Sequence, residues 1–357
     1  KTALKSHGLD SNGQLYKINS FEFYRYEDII KKEDDAGYDK TAFEKMLEIK
    51  GDSDHTKLID MLTDLNDYSI GIEDVLKEHF DEENIVYWMA FQILMGNVDT
   101  QNRNVYLYSP LNSDIWYFIA WDNDGCLMRP EYELRNFSDQ NSWEKGISNY
   151  WGNILFQRCL KSRSFREKLN DAILDLREYL NKDMLTSKIE SYKNVLKPYL
   201  YLMPDAEYEP LTSEQYDQIA ASLPDEIEKN YQLYLESLET PMPFYIGVPT
   251  IDGDKLKFNW DVSYDLDAED ITYSVEVAGD YLFRDVIYQN TTLTVPEAEM
   301  DLPKAGQYFV RVRATNTSGK TQDAFDYYVT DEGKYYGMRC FYITEDSTVE
   351  EDDYEEG

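Results

Sequence analysis

Residues 96–104 of this chain read GNVDTQNRN, and after two short apolar runs the chain continues as WDNDG over residues 121–125. The apolar runs, 105–108 and 115–120, are separated by a polar turn. This pattern predicts a helix, a polar loop, a strand, a turn, a second strand and an acidic turn, in that order. An Asn/Asp-rich turn that bonds only to its own backbone is the simpler interpretation. The second acidic turn after the hairpin favours a reaction site.

The spacing of the polar residues indicates which chemistry such a site would perform. Asp99 and Asn104 have the D-x-x-x-x-N spacing of a protein-kinase catalytic loop, and Asp122 follows two strands later, where a kinase has its metal-binding Asp. Mg²⁺ prefers oxygen ligands, which a carboxylate and an amide carbonyl supply. We therefore expect Asp122 and Asn104 to bind the metal and Asp99 to orient and deprotonate an incoming hydroxyl.

These residues also resemble the motifs of a known family. Its first signature is Gly-Asn-x-Asp-x-x-x-x-Asn-x-Tyr-Leu-Tyr, and its second is Trp-x-x-x-x-Trp-Asp-x-Asp-x-x-x-Gly. The chain matches them at Gly96, Asn97, Asp99, Asn104, Tyr106, Leu107, Tyr108, Trp116, Trp121, Asp122 and Asp124. On this basis the sequence resembles the bacterial spore-coat CotH kinase-like proteins over about residues 10–205.

The resemblance implies an α+β fold of the atypical protein-kinase type, with a mostly helical large lobe and a catalytic-loop β-hairpin. It implies ATP and Mg²⁺ or Mn²⁺ as cofactors, and Ser or Thr of an extracytoplasmic protein as the acceptor. By the same resemblance Asp99 is the catalytic acid, and Asn104 and Asp122 are metal ligands. Asp124 is an accessory ligand and Asn97 shapes the loop. The expected location is the outside or the surface of a bacterial cell.

The sequence departs from a complete kinase in its phosphate-binding parts. It has no Gly-rich phosphate loop and no Val-Ala-Ile-Lys-like strand. The chain begins at Lys1 without a signal peptide, so we expect an N-terminally truncated kinase domain whose small lobe lies upstream. Lys17 is the nearest candidate for a phosphate contact, although a surface lysine at a strand edge is the more ordinary interpretation. A catalytically inactive kinase-like scaffold at the cell surface is the alternative function.

Composition restricts the partners of the protein. The 357 residues carry a formal net charge of −35, which argues against binding to nucleic acid or to anionic membranes. No apolar run approaches the roughly 18 residues of a membrane span. Because a nucleotide is itself anionic, the acidity favours metal dependence. Three cysteines and three histidines, widely scattered, argue against a zinc site or a Cys/His nucleophile.

Periodicity divides the chain into two domains and a tail. Residues 1–240 show helical spacing, with two helices predicted between residues 41 and 66 and a buried helix over 85–95. Residues 241–343 change to alternating short strands and resemble a fibronectin type III β-sandwich of the immunoglobulin-like class. Such a module offers a surface for an extracellular protein partner. Residues 344–357 predict an acidic, flexible tail.

Three functions remain open from the sequence. The first is a secreted CotH-like protein kinase, and the second is the inactive scaffold. The third is a Ca²⁺-binding turn formed by Asp122, Asn123 and Asp124. That turn lacks the later Gly and the terminal Glu of an EF-hand loop, so it is the weakest of the three.

Overall fold

The computed structural model describes residues 2–134, 143–331 and 333–351. Helices and strands are mixed along the chain, which confirms the α+β expectation. The chain divides into two compact units, the first formed by Lys1–Asn136 with Asn149–Tyr234 and the second by Phe137–Ser148 with Leu235–Gly357. The sequence did not predict that a segment before residue 149 groups with the second unit. The predicted boundary between residues 240 and 241 stays a prediction.

The first unit is mainly helical. Its described helices, the last of which continues into the second unit, are α1 Thr2–Ser6, α2 Lys40–Met46, α3 Thr56–Asn66, α4 Ile72–His79, α5 Glu82–Leu94, α6 Arg129–Leu134, α7 Ile154–Lys161, α8 Arg163–Tyr179, α9 Lys182–Leu200, α10 Ser213–Ser222 and α11 Glu226–Glu239. Short 3₁₀ helices lie at Val98–Thr100, Asn123–Gly125, Ser148–Tyr150, Asp205–Glu207 and Leu223–Asp225.

A four-stranded antiparallel sheet positions the predicted site. Its strands are β1 Gln14–Ile18, β2 Leu47–Ile49, β3 Val105–Ser109 and β4 Tyr117–Ala120, in the order β2-β1-β3-β4. The predicted hairpin is therefore β3–β4, and β1 pairs with its other side. Strand β2 lies where the sequence predicted the last part of the first of two helices, and that prediction was wrong because the backbone groups of β2 pair with those of β1.

Helix α5 passes through the core of this unit. Asp81 caps its N-terminus, with its carboxylate accepting from Asn84 N at 2.9 Å. Most of its residues are buried, including Trp88, whose ring stacks on Phe156 at a centroid distance of 5.6 Å. Because the helix is held on several sides, the loop that follows it at Gly96 starts from a fixed point.

The second unit is built from strands. They are β5 Thr250–Asp252, β6 Lys255–Asn259, β7 Ile271–Ala278, β8 Val286–Leu293, β9 Glu297–Asp301, β10 Gly306–Asn316, β11 Thr321–Asp323, β12 Tyr327–Thr330, β13 Gly333–Tyr336, β14 Met338–Ile343 and β15 Val349–Glu351. One sheet has the order β5-β6-β9, and a larger one has the order β15-β14-β10-β7-β8 with β11 beside β10. Strand β15 falls inside the predicted flexible tail and pairs with β14, and residues 352–357 of that tail lie outside the described residues.

The two larger sheets of the second unit share one hydrophobic core. Phe258 of β6 and Trp260, which directly follows β6, pack with Val275 of β7 and Val312 of β10.

At the start of β10 the hydroxyl of Tyr308 donates to the carbonyl oxygen of Lys304 at 2.9 Å. This is the bond that a tyrosine corner makes to the backbone a few residues upstream.

Candidate functional site at the end of the hairpin

Asn104 and Asp122 lie at the same end of the β3–β4 hairpin. Val105 and Ala120 are the last paired residues of the two strands, so Asn104 directly precedes this pair and Asp122 follows it by two residues. Both residues have left-handed backbone conformations, with φ of 58° and 55°. Asn and Asp tolerate this region better than other side chains do. Both strands therefore leave the sheet at sharp bends beside each other.

Asp99 is joined directly to Asn104. The amide Nδ2 of Asn104 donates to Oδ2 of Asp99 at 2.7 Å. Arg103 donates through Nε to Oδ1 of Asp99 at 2.8 Å, and its guanidinium forms an ion pair with the same carboxylate. About one third of the Asp99 side chain remains accessible, at 35%. The structure thus brings together the predicted catalytic acid and one predicted metal ligand, with a cation beside them.

Asn97 ties this loop to the acidic turn. Its side chain, 2% exposed, accepts from the backbone N–H of Asp99 at 3.3 Å. Its Nδ2 donates to Gln92 at 3.0 Å and to Oδ1 of Asn123 at 3.4 Å, and Gln92 also donates to Asn123 at 3.2 Å. These contacts connect α5, the loop and the turn after Asp122, and the loop-shaping role of Asn97 stays a prediction.

The acidic turn packs closely on the loop at Gly125. A Cβ atom at this position would lie 2.8 Å from Oδ1 of Asn97 and 3.5 Å from Cβ of Asp99. Only a glycine allows the two segments to approach this closely. The side chains of Asp122 and Asp124, which flank Asn123, are exposed to solvent.

A second group of amide side chains holds the loop from its other side. Asn149 donates to the carbonyl oxygen of Val98 at 3.2 Å, and Asn153 donates to that of Gln101 at 3.0 Å. The hydroxyls of Thr100 and Tyr150 are 3.1 Å apart. Backbone groups of the loop that would otherwise be buried without partners are therefore satisfied.

A buried ionic cluster supports the start of the loop at Gly96. Asn230 of α11 donates to the carbonyl oxygen of Leu94 at 2.9 Å and accepts from Arg129 at 2.6 Å. Arg129 also pairs with Glu226, which is 1% exposed, at 3.1 Å. Gly96 has φ of 60°, and Asn230 lies directly against it.

The remaining predicted residue, Lys17, lies on one face of the sheet close to the hairpin end. In register it is opposite Tyr106 of β3, which is opposite Ile119 of β4. The rings of Tyr106 and Trp121 are 5.1 Å apart in an edge-on arrangement, and Trp121 is 45% exposed. Lys17, Tyr106 and Trp121 therefore form a partly exposed row across this face of the sheet, and the row adjoins Asn104 and Asp122.

Cys126 adjoins the site but lacks the properties of a nucleophile. Burial raises the pKa of its thiol to about 12, against the opposing effect of a hydrogen bond with Asn97. The thiol is therefore protonated at neutral pH.

The donor groups at the hairpin end fit a hard divalent cation. Asn104 uses its Nδ2 toward Asp99, which leaves its amide oxygen for a ligand, and Asp122 makes no capping bond to its own turn. Within the described ranges, no group of three or more His, Cys, Asp or Glu side chains could hold a metal ion by itself. A cation here would need phosphate or water oxygens as well, as Mg²⁺ in phosphoryl-transfer sites does.

Sequence reasoning missed the residues that hold the site in place. Gln92, Asn149 and Asn153 reach the loop only in the folded chain, and no spacing in the sequence indicates that they do. Arg103 could have been found, because Asp99 and Arg103 have the i, i+4 spacing of an ion pair.

Comparison with known proteins gives one family. A family model described as CotH kinase protein matches residues 1–234. No curated protein matches the chain. Domains 1–6 of the surface layer protein SbsC align with 92% of this chain and 41% of that structure, at 12% identity and a TM-score of 0.16. This score is too low to support a structural argument. Among the described helices, none has the length and hydropathy of a membrane span.

Proposed function

This chain belongs to the CotH kinase family, and we propose that it is a metal-dependent protein kinase of the bacterial cell exterior. In this proposal it transfers the γ-phosphate of ATP to a Ser or Thr hydroxyl of a protein. The observation that carries the proposal is the hydrogen bond between Asp99 and Asn104 at the hairpin end next to Asp122. Two carboxylates and an amide at one end of a hairpin are groups that kinases use to hold the metal and to orient the acceptor hydroxyl.

The roles of the residues follow from their positions. Asp99 accepts a hydrogen bond from the acceptor hydroxyl and takes its proton as the hydroxyl oxygen bonds to the γ-phosphorus. The bond from that phosphorus to the bridging oxygen breaks, and ADP leaves. Asn104 through its amide oxygen and Asp122 through its carboxylate would hold Mg²⁺ or Mn²⁺, with Asp124 as an accessory ligand. The bound cation supplies neutralisation of phosphate charge, which this strongly acidic protein needs.

The sheet face beside the hairpin end is the proposed nucleotide surface. Tyr106 and Trp121 offer aromatic rings on which a base could stack. Lys17 lies opposite Tyr106, within the same row, and is the proposed phosphate contact. Arg103, already paired with Asp99, is a second cation at the position of phosphoryl transfer.

Transfer of labelled phosphate from ATP to an acceptor protein, in Mg²⁺ or Mn²⁺, tests the proposal. Asp99→Asn and Asp122→Asn should each abolish transfer, because they remove the proton acceptor and a metal ligand while keeping side-chain size. Asp114→Asn is the matched control, since Asp114 is exposed near the opposite end of the same hairpin. Transfer that survives Asp122→Asn would contradict the proposed metal site.

The alternative is a kinase-like scaffold without turnover. Calorimetric titration with Mn²⁺ and a non-hydrolysable ATP analogue separates it from the kinase. Binding that Asp122→Asn abolishes, combined with no transfer to any acceptor tested, would favour the scaffold.

For the second unit we propose a fibronectin type III-like module that binds a protein partner outside the cell. Three observations support the assignment: the β5-β6-β9 sheet facing the larger one, the buried Trp260, and the hydrogen bond of Tyr308 to the backbone. A pull-down with the whole chain as bait, against extracts of the bacterial surface, tests the partner role.

A further inference from the structure

Helix α9 carries an apolar stripe that the described part of the chain leaves open to solvent. Tyr192, Val195, Leu196 and Tyr199 recur at the i, i+3, i+4, i+7 spacing of one helix face. Their exposed fractions lie between 51% and 67%. Leu202 and Met203, 58% and 68% exposed, extend the apolar surface beyond the end of the helix.

This stripe is distinct from the side of α9 that packs within the first unit. On that side Ile189, Lys193 and Lys197 follow one another at four-residue spacing and are partly buried, and Lys197 reaches α10 by bonding Asp217 at 2.6 Å. A helix that needed only this contact would be expected to expose polar side chains elsewhere. Two large tyrosines and two aliphatic residues on a second face indicate a second packing partner.

We propose that the stripe is the interface of a symmetric dimer, in which α9 of one copy packs antiparallel against α9 of a second copy. The size of the surface supports this occupant. A fully covered aromatic side chain buries about 150–250 Å², so side chains that are 51–68% exposed present on the order of 100 Å² each. Complete covering of six of them in each of two copies would bury roughly 1,200 Å² in total, the low end of the range for specific interfaces.

Charge also supports a contact confined to this stripe. Two copies of a chain with a net charge of −35 repel each other at long range, and the stripe itself has no carboxylate that would add to this repulsion at the contact. Lys188 lies one turn earlier on the same face. Antiparallel packing brings it toward the partner's C-terminal end of α9, where Asp205 and Glu207 follow. A two-fold axis repeats this ion pairing on both sides.

Analytical ultracentrifugation of the whole chain over a range of concentrations tests the proposal. We expect a mass that rises to twice the monomer, and an association that strengthens with salt because salt screens the long-range repulsion. Tyr199→Glu should weaken the dimer about tenfold or more, since it places a charge in the apolar contact. A monomer at every concentration and salt would overturn the proposal.

A matched control and a cross-link localise the contact. Tyr179 at the end of α8 is 68% exposed, against 67% for Tyr199, so Tyr179→Glu should leave the dimer unchanged. Leu196→Cys, near the two-fold axis, should give a disulfide-linked dimer on mild oxidation, whereas Tyr179→Cys should not. Equal loss of the dimer with both glutamate variants, or no cross-link at position 196, would overturn the stripe as the interface.

Discussion

Replacing Gly96 by alanine should destabilise the first unit by two separable effects. The residue has φ of 60°, a left-handed conformation that costs a non-glycine residue about 1 kcal/mol. An added Cβ would also lie 2.7 Å from Nδ2 of Asn230 and 3.0 Å from its Oδ1. Contacts this short force Asn230 to move.

The magnitude follows from the bonds that Asn230 makes. It donates to Leu94 O at 2.9 Å and accepts from Arg129 at 2.6 Å. Losing or stretching each of these two hydrogen bonds costs about 1 kcal/mol, since Asn230 and Leu94 are buried. Together with the backbone effect, Gly96→Ala should lower the free energy of unfolding by about 2–4 kcal/mol.

Gly37→Ala separates the two effects. Gly37 has φ of 78°, and its added Cβ would meet only the Nζ atom of Lys31 at 3.4 Å, the end of a flexible side chain. It should therefore show the backbone cost of about 1 kcal/mol and no steric cost. The double variant Gly96→Ala with Asn230→Ala should be less destabilised than the sum of the single variants, because the clash partner is gone.

Urea unfolding followed by far-ultraviolet circular dichroism measures these differences, since most described helices lie in the first unit. If Gly96→Ala costs no more than Gly37→Ala, the steric part of the reasoning is wrong. If the double variant is strictly additive, Asn230 is not the residue that is displaced.

Three further predictions concern stability. Glu226→Ala should destabilise the first unit by about 3 kcal/mol in urea unfolding, because it leaves the charge of Arg129 without its buried partner. Burial lowers the pKa of His55 below its ordinary value of 6.5, so the stability that depends on neutral His55 is complete above about pH 6.5 and is lost as the pH falls from there through the lowered pKa of the folded state. His55→Gln should flatten this part of the stability profile, and an unchanged slope would argue against His55 as its source. Tyr308→Phe should cost about 1 kcal/mol in the second unit, because it removes the bond to the Lys304 carbonyl; thermal unfolding with no shift would contradict this.

The local parts of the fold were predictable from the sequence. The hairpin β3–β4 and the loop before it depend on short-range alternation and on polar residues adjacent to it, which periodicity detects. Helix α5 was recognisable from its length and its apolar composition. That Asp99, Asn104 and Asp122 lie near one end of the hairpin could also be expected from the sequence, because the first strand of a hairpin begins at the end where the second strand finishes.

The non-local parts were not predictable. That β1 would pair with β3, and thus place Lys17 opposite Tyr106, depends on contacts about 90 residues apart in the chain. Residues Leu47–Ile49, which form strand β2, were expected to continue the helix before them, since three residues are too few for the sequence pattern to distinguish a strand from a helix. The supporting amides of Asn149 and Asn153 are ordinary in sequence and become specific only through the backbone groups that they meet.

The network of amides around the loop has a consequence for kinetics. Gln92, Asn97, Asn123, Asn149 and Asn153 carry no ionisable group, so the hydrogen bonds that these amides make with one another and with the loop backbone do not change with proton concentration. A change of rate with pH would then come from the reacting carboxylate, the acceptor, the nucleotide or the His55-dependent stability of the unit, and not from loss of these amide hydrogen bonds.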